Sequence, residues 1–549
     1  MAAKIILENN YGYKWYSANG ISVRGYVLRN GEVYRDAQIA ALLASVDSFD
    51  GFRSFLSEID GCYCLVINRN NRIFAAVDSS RSMPLYYSAD GAVISDSLKA
   101  IACELGLGNS DTDPSVLEEL LHASYVCHNR TVFKNCLQLA EGQLACFDGS
   151  DIKRGYYYIH KAALNNISRE KALELFTKTS EKVFADMLKV IGDRPIVISL
   201  SGGYDSRYVA CMLKKLGAKD VSCYSYGLED SFEIAEARHI AEVLGYRWTC
   251  VEYSDELVKS CFEPENIGYF SMINGYDSDA YIQNYAAVKT LHEQGWFKPD
   301  SVFITGLCND MPTGFYINSL DAPEGFVPGV DAIVDHIVFI RHFHRRMGRR
   351  SLDRYKAELR RVVGELGLDS WDYQSHVSAC DAVETVIEHS RLNLHMNDVH
   401  AFFGYEWLIP CWSRELLNFW YSMPLEYRVA QNLYEEFILT GVPAEYSLGT
   451  KKQVLSYCMY SGFDKFKARL RLVAKRLLCM PMGIALKEDE DVNNFNMLNT
   501  ILFRKIRQKQ LLGFRNLSVD LVLIVYLMEQ WFGDDFYSII KDFNESGRE

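Results

Sequence analysis

A chain of 549 residues, 49% of them apolar, is long enough for two or three domains with cores of their own and needs no disulfide or metal staple to fold. Acidic side chains outnumber basic ones 71 to 58, and the net charge of −13 speaks against a sequence-independent grip on nucleic acid. The opening Met1-Ala2-Ala3-Lys4 has no secretion-signal apolar core and no apolar run reaches the roughly 20 residues of a membrane span, so a cytoplasmic location is expected.

The first 100 or so residues read as strands, with turns expected at Asn30-Gly31, Asp60-Gly61, 68–71 and Asp90-Gly91 between short alternating runs. In this stretch Cys62 and Cys64 alternate along a strand-like run, and the chain's 15 cysteines hold no Cys-x-x-Cys pair. They are expected as small core residues rather than zinc ligands or disulfides. A strand pair is expected over 131–138 and 143–147, then an amphipathic helix over 168–188 that ends at Gly192-Asp193-Arg194-Pro195. Strands at 196–200, 221–226, 248–253 and 301–305 alternate with helices, the pattern of a parallel sheet wound with crossovers. The remainder reads as mainly helical. The fold class is therefore α/β, with a layered sheet domain over 1–160 and a parallel-sheet domain over 161–549 that turns helical from about 320.

The most informative stretch is Ser201-Gly202-Gly203-Tyr204-Asp205-Ser206, which follows the apolar strand of Ile196, Val197 and Ile198 and opens a helix. Two glycines let the main chain approach phosphate oxygens, the helix N-terminus adds partial positive charge, and two serines add hydroxyl donors. Asp205 would repel phosphate unless a cation lies between them, which points to Mg²⁺ on a nucleotide triphosphate. The plainer alternative is a tight turn with an N-terminal helix charge. Neither Gly-x-x-x-x-Gly-Lys-Ser/Thr nor Gly-x-Gly-x-x-Gly occurs here, which excludes a Walker P-loop and a dinucleotide fingerprint.

The Ser-Gly-Gly-x-Asp-Ser order resembles the pyrophosphate loop of ATP pyrophosphatases, and further segments resemble the asparagine synthetase family in the same order. Asn30-Gly31-Glu32-Val33-Tyr34, Ile59-Asp60-Gly61-Cys62-Tyr63 and Pro84-Leu85-Tyr86-Tyr87 are similar to segments of that family's N-terminal glutaminase domain. Tyr224-Ser225-Tyr226-Gly227 is similar to its adenine-contacting strand, and Thr305-Gly306-Leu307-Cys308-Asn309-Asp310 to its Ser/Thr-Gly-x-Gly-x-Asp motif. The resemblance implies an N-terminal Ntn-hydrolase-like domain and an ATP-pyrophosphatase domain that adenylates a carboxylate and passes it to ammonia or an amine. It implies ATP and Mg²⁺ as cofactors. Asp205 and Asp310 would hold the metal; Ser201, Gly202, Gly203 and Ser206 the pyrophosphate; Leu200 and Tyr226 the adenosine, with Thr305 and Gly306 beside them. Lys452, or its neighbour Lys451, stands nearest the family's catalytic lysine.

Departures from the family matter as much. Its glutaminase nucleophile is a cysteine after the initiator methionine, where this chain has Ala2, so the first domain is expected to be degenerate and glutamine hydrolysis absent. Leu307 stands where amide-forming members often carry glutamate, with Cys308 and Met311 also altered; Leu408 and Ser413 replace an arginine and an aspartate. The run Gly404 to Trp412 resembles members from bacterial surface-polysaccharide clusters, which implies amidation of a carbohydrate acid. A lactam- or conjugate-forming ligase and a decayed nucleotide-binding scaffold stand as the alternatives. Residues 465–477 read as a basic amphipathic helix able to touch an anionic membrane surface or to pack on its own protein. The basic run 341–350 reads as a charged-substrate contact or a solvated face, and His395 and His400 as a structural pair.

Overall fold

The computed structural model describes residues 3–160, 166–228, 231–263, 268–269, 278–306, 309–341, 347–451, 493–506, 519–533 and 536–546. The expectations placed on Ala2, Leu307, Cys308, Lys452, 342–346 and 465–477 lie outside the described residues.

Eleven strands come first: Lys4–Ile6 (β1), Trp15–Ala18 (β2), Ile21–Arg29 (β3), Glu32–Arg35 (β4), Asp60–Arg69 (β5), Arg72–Val77 (β6), Tyr86–Ser88 (β7), Val93–Ser95 (β8), Cys136–Gln138 (β9), Gln143–Asp148 (β10) and Asp151–Tyr156 (β11). Seven form an antiparallel sheet in the order β11-β10-β6-β5-β3-β2, with β4 on β3, and the other four run β1-β8-β7-β9. Positive φ at Asn30 and Gly31, and at Asn70 and Asn71, gives the two-residue turns that join β3 to β4 and β5 to β6. The β5 strand shows why the large sheet is covered on both sides. Tyr63, Leu65 and Ile67 face the helices Asp36–Leu43 and Phe49–Ser57, while Cys64 and Val66 face the main core.

Two expectations fail here. Asp60-Gly61 is no turn but the start of β5, where a Cβ on Gly61 (φ +131°) would sit 2.4 Å from the Tyr26 carbonyl oxygen, so the glycine serves a close approach between strands. Strands do form at 136–138 and 143–148, yet they do not pair with each other. The turn before β10, with Gly142 at φ +65°, carries the chain from β9 in the small sheet to β10 in the large one.

Ser168 then caps the helix Arg169–Ile191 by accepting from the Lys171 amide, and Gly192 at φ +65° ends it. The strands Ile196–Ser199 (β12), Val221–Gly227 (β13), Arg247–Glu252 (β14), Val302–Ile304 (β15) and Glu406–Leu408 (β16) form an all-parallel sheet in the order β14-β13-β12-β15-β16. From β12 the chain winds through β13 to β14, then returns to the other side of β12 through β15. The carboxyl ends of β12 and β15 therefore flank a topological switch point, where such sheets open a crevice. β16 was not expected: three residues are too short to show a period, and only their pairing with β15 makes them a strand.

The antiparallel and parallel sheets share one continuous apolar core. Tyr13 donates its hydroxyl to the Trp407 carbonyl at 2.6 Å, and Arg35 and Arg194 both reach Glu406, at 3.0 and 2.7 Å. Among the described residues no helix is long and apolar enough to cross a membrane.

Candidate functional site

After β12 the chain turns through Leu200 to Gly203, and Gly203 occupies the N-cap of the helix Tyr204–Lys215. The two serines brace this turn from inside. Ser201 Oγ accepts from the Gly203 amide at 3.2 Å, and Ser206 Oγ accepts from the Ser201 amide at 3.0 Å. Gly202 packs against the helix Phe232–Leu244, where a Cβ would stand 3.2 Å from Glu236 Cβ. Gly306, beyond the end of β15, lies directly on the helix start: a Cβ there would be 2.7 Å from the Asp205 carbonyl carbon and oxygen. Glycine at this position lets the two loops of the switch point touch.

A cavity of about 410 Å³ opens between them. Of the residues singled out in the sequence, Leu200, Ser201, Gly203, Asp205, Ser206, Tyr226, Thr305, Gly306 and Asp310 line it. Gly202 is not in the lining but shapes the turn behind it. Lys451 is not in the lining either; its side chain is 72% exposed and its Nζ lies 3.5 Å from Glu435 Oε2. Sequence reasoning did not place Glu233, Ile234, Tyr281, Gln283, Asn284, Tyr316, Met396 and Asn493 at the site, and they also line it.

Charge is distributed one-sidedly. Asp205, Glu233 and Asp310 line the cavity, and no lysine, arginine or histidine does so among the described residues. Asp205 Oδ1 accepts from the Tyr434 hydroxyl at 2.8 Å and from Asn309 Nδ2 at 3.4 Å. Burial, reinforced by the Asp205 charge, pushes the Tyr434 hydroxyl well above its usual range, so it remains a donor. Gln431 Nε2 donates to Asp310 Oδ1 at 3.3 Å and to Thr313 Oγ1 at 2.7 Å, while burial raises the Glu233 carboxyl. Three carboxylates without a cationic side chain among the described residues would repel a bare anion.

Arg207, fully buried one turn into the same helix, ties the loop to a distant segment. Its guanidinium donates to the carbonyls of Gly202, Leu448 and Thr450 and to Glu236, at 2.7 to 3.1 Å. Thr450 precedes Lys451, so Arg207 couples the turn of Gly202 to the stretch that carries the lysine pair.

Behind the Asn284 part of the wall, the His400 ring stacks on Phe303 with centroids 4.2 Å apart, and Nε2 meets Asn284 Nδ2 at 3.3 Å and the Tyr224 hydroxyl at 3.4 Å. Neither His400 nor His395, which pairs with Asp398 at 2.5 Å, joins a metal cluster among the described residues. Burial lowers the His400 imidazole from 6.5 to about 3. The unfolded chain takes up this proton first, so the neutral ring contributes stability above about pH 6.5 that is lost as the pH falls below it. At pH 5 that loss is about 2 kcal/mol. Urea unfolding at pH 7.5 and pH 5 should show a flatter pH dependence for His400→Gln than for the parent protein, and equal slopes would refute this account.

Away from this cavity, Cys62 of β5 shares a small pocket with Asp78 and Ser82. Burial and the Asp78 carboxylate push this thiol up to about 12, so it rests protonated and is a poor nucleophile. Arg350, from the basic run, donates to the Phe543 carbonyl at 3.1 Å and covers the Phe543 ring, which is packing rather than substrate contact.

Residues 181–295 match the family profile described as asparagine synthase. A "probable asparagine synthetase [glutamine-hydrolyzing]" of Acanthamoeba polyphaga mimivirus is 25% identical over 249 residues, covering 40% of this chain and 42% of the viral protein. The chain thus spans less than half the length of that curated relative. Two solved structures align more weakly. An NH3-dependent NAD synthetase from Campylobacter jejuni is 19% identical over 28% of this chain and 63% of its own, with a TM-score of 0.19. A glutamine PRPP amidotransferase from B. subtilis is 13% identical over 44% of this chain and 72% of its own, with a TM-score of 0.18. Scores this low carry no argument about the fold. The matched segment 181–295 contains the Ser201–Ser206 turn and strands β12 to β14, so the likeness to asparagine synthase falls on the part of the chain that builds this end of the parallel sheet.

Proposed function

We propose that the chain is an ATP-dependent ligase that adenylates a carboxylate and joins it to ammonia or an amine. The reading rests on one observation: the Ser201–Ser206 turn, Asp205 and Asp310 border a single cavity at the switch point of the parallel sheet. With three carboxylates in the lining and no cationic side chain among the described residues, a triphosphate enters only together with its divalent cation. Asp205 and Asp310 are the residues that would hold Mg²⁺, which when bound neutralises charge on the departing pyrophosphate. Ser201, Ser206 and the amides at the helix start receive the pyrophosphate oxygens, and Leu200 and Tyr226 flank the adenosine.

In the reaction a carboxylate oxygen attacks the α-phosphorus, the bond to the bridging oxygen breaks, and pyrophosphate leaves. The nitrogen then attacks the acyl carbon, AMP departs, and the nitrogen gives up a proton. A carboxylate is inert to amines at neutral pH, so this exchange of leaving group is what the ATP supplies. The protonated Cys62 thiol favours a nitrogen donor other than glutamine hydrolysed in the first domain. The run Gly404 to Trp412 favours a carbohydrate acid as acceptor.

The test is pyrophosphate release from Mg²⁺-ATP across a panel of uronic acids and amino acids, with and without ammonium. Acid-dependent release is the expected result, and product mass separates a primary amide, which barely changes the acid, from a conjugate, which adds a whole residue. Mg²⁺-ATP binding without acid-dependent release would leave the decayed nucleotide-binding scaffold in its place, and absence of ATP binding in the presence of Mg²⁺ would overturn the ligase reading outright.

A further inference from the structure

Away from this cavity, the helices Val330–Arg341 and Tyr373–Glu384 pack against each other and bring three soft or borderline ligands together. His336 comes from the first helix, and His376 and Cys380 stand one turn apart on one face of the second. One ligand atom from each of the three lies within 4.8 Å of the others. The Cys380 sulfur is 3.6 Å from His376 Nε2. A tetrahedral ion with nitrogen at about 2.05 Å and sulfur at about 2.3 Å holds such a pair about 3.6 Å apart, so this edge of the cluster needs little adjustment.

The surroundings hold the His376 ring without satisfying it. His376 and Cys380 are each 4% exposed, and Phe326 and Tyr373 hold the His376 ring from two sides. Among the described residues its Nδ1 is buried with no hydrogen-bond partner and its Nε2 meets only a thiol, a weak return for burying an imidazole. His336 is exposed, which gives the cluster a route to solvent.

We infer that His336, His376 and Cys380 form a site for a divalent transition metal that prefers nitrogen and sulfur, Zn²⁺ by class, with water in the fourth position. Binding breaks the Cys380 S–H bond and releases one proton to solvent; no electron is transferred. The site clamps the two helices beside Asp381, whose carboxylate pairs with Arg428 at 2.7 Å. Arg428 in turn donates to the carbonyls of Pro312 at 2.9 Å and Met311 at 3.3 Å, immediately after Asp310. The clamp is thus connected to one arm of the nucleotide cavity while remaining outside it.

The full chain, stripped with a chelator and titrated with Co²⁺, tests this. One equivalent should bind with a near-ultraviolet thiolate-to-cobalt band, and Zn²⁺ should displace it. Cys380→Ser should abolish the band, and His336→Ala, an exposed change that leaves the core intact, should weaken Co²⁺ binding about tenfold or more. Cys103→Ser, at an exposed cysteine elsewhere, should leave both unchanged. Failure to bind Co²⁺, binding without a thiolate band, or a band that survives Cys380→Ser in a protein with unchanged circular dichroism would each overturn the assignment.

Discussion

Replacing Asp205 with asparagine should reduce acid-dependent pyrophosphate release by ~10²-fold or more in kcat/KM, equivalent to about 2.7 kcal/mol of transition-state stabilisation. The substitution is chosen because it keeps shape and hydrogen bonding. An asparagine oxygen still accepts from the Tyr434 hydroxyl, now at 2.8 Å from Asp205 Oδ1, so the helix start should stay in place. What disappears is one negative charge in a cavity that contains Asp205, Glu233 and Asp310. Stability should accordingly be unchanged or slightly higher, since like charges are relieved, whereas the Mg²⁺ concentration needed for half-maximal rate should rise. Asp310→Asn should behave in the same way, and the double variant should be little worse than either single one, because two ligands of one ion act as a unit. Near-normal turnover with unaltered Mg²⁺ dependence in Asp205→Asn would refute the assignment of this carboxylate.

What could be read from the sequence was local. The β12 strand, the glycine pair and the serines of Ser201 to Ser206 are contiguous, and their chemistry is visible without a partner. The helix Arg169–Ile191 was legible from its capping serine and its period. The contacts that orient the carboxylates were not. Tyr434 reaches Asp205 across 229 positions and Gln431 reaches Asp310 across 121, and no spacing rule connects such pairs. The Asp60-Gly61 dipeptide misled because a glycine that permits close strand approach and a glycine that makes a turn have the same signature. Cys380 was hidden among the other cysteines, since only the packing of two helices sets it beside His336 and His376.

The largest stability effect should come from Arg207→Met. Arg207 is buried, and its guanidinium answers the carbonyls of Gly202, Leu448 and Thr450 as well as Thr450 Oγ1 and Glu236. Methionine fills much of the volume but donates nothing, so three backbone oxygens lose a donor in a place that water reaches poorly. Each such loss costs on the order of 1 kcal/mol or more, and the total should be about 3 kcal/mol. Glu236 adds less than a buried partner would, because its side chain is 35% exposed and solvent screens the pair. Glu236→Gln should therefore cost under about 1 kcal/mol, which separates the ion pair from the backbone anchoring. Arg207→Lys should fall between, since one ammonium cannot span Gly202 on one side and Thr450 on the other. Urea unfolding gives these differences directly. Because the same side chain joins the Ser201–Ser206 turn to the segment ahead of Lys451, Arg207→Met should, on the proposed function, also raise the KM for ATP and expose residues 448–451 to proteolysis. A variant within 0.5 kcal/mol of the parent, a difference ordinary for surface changes, would mean that this anchoring contributes nothing to the site.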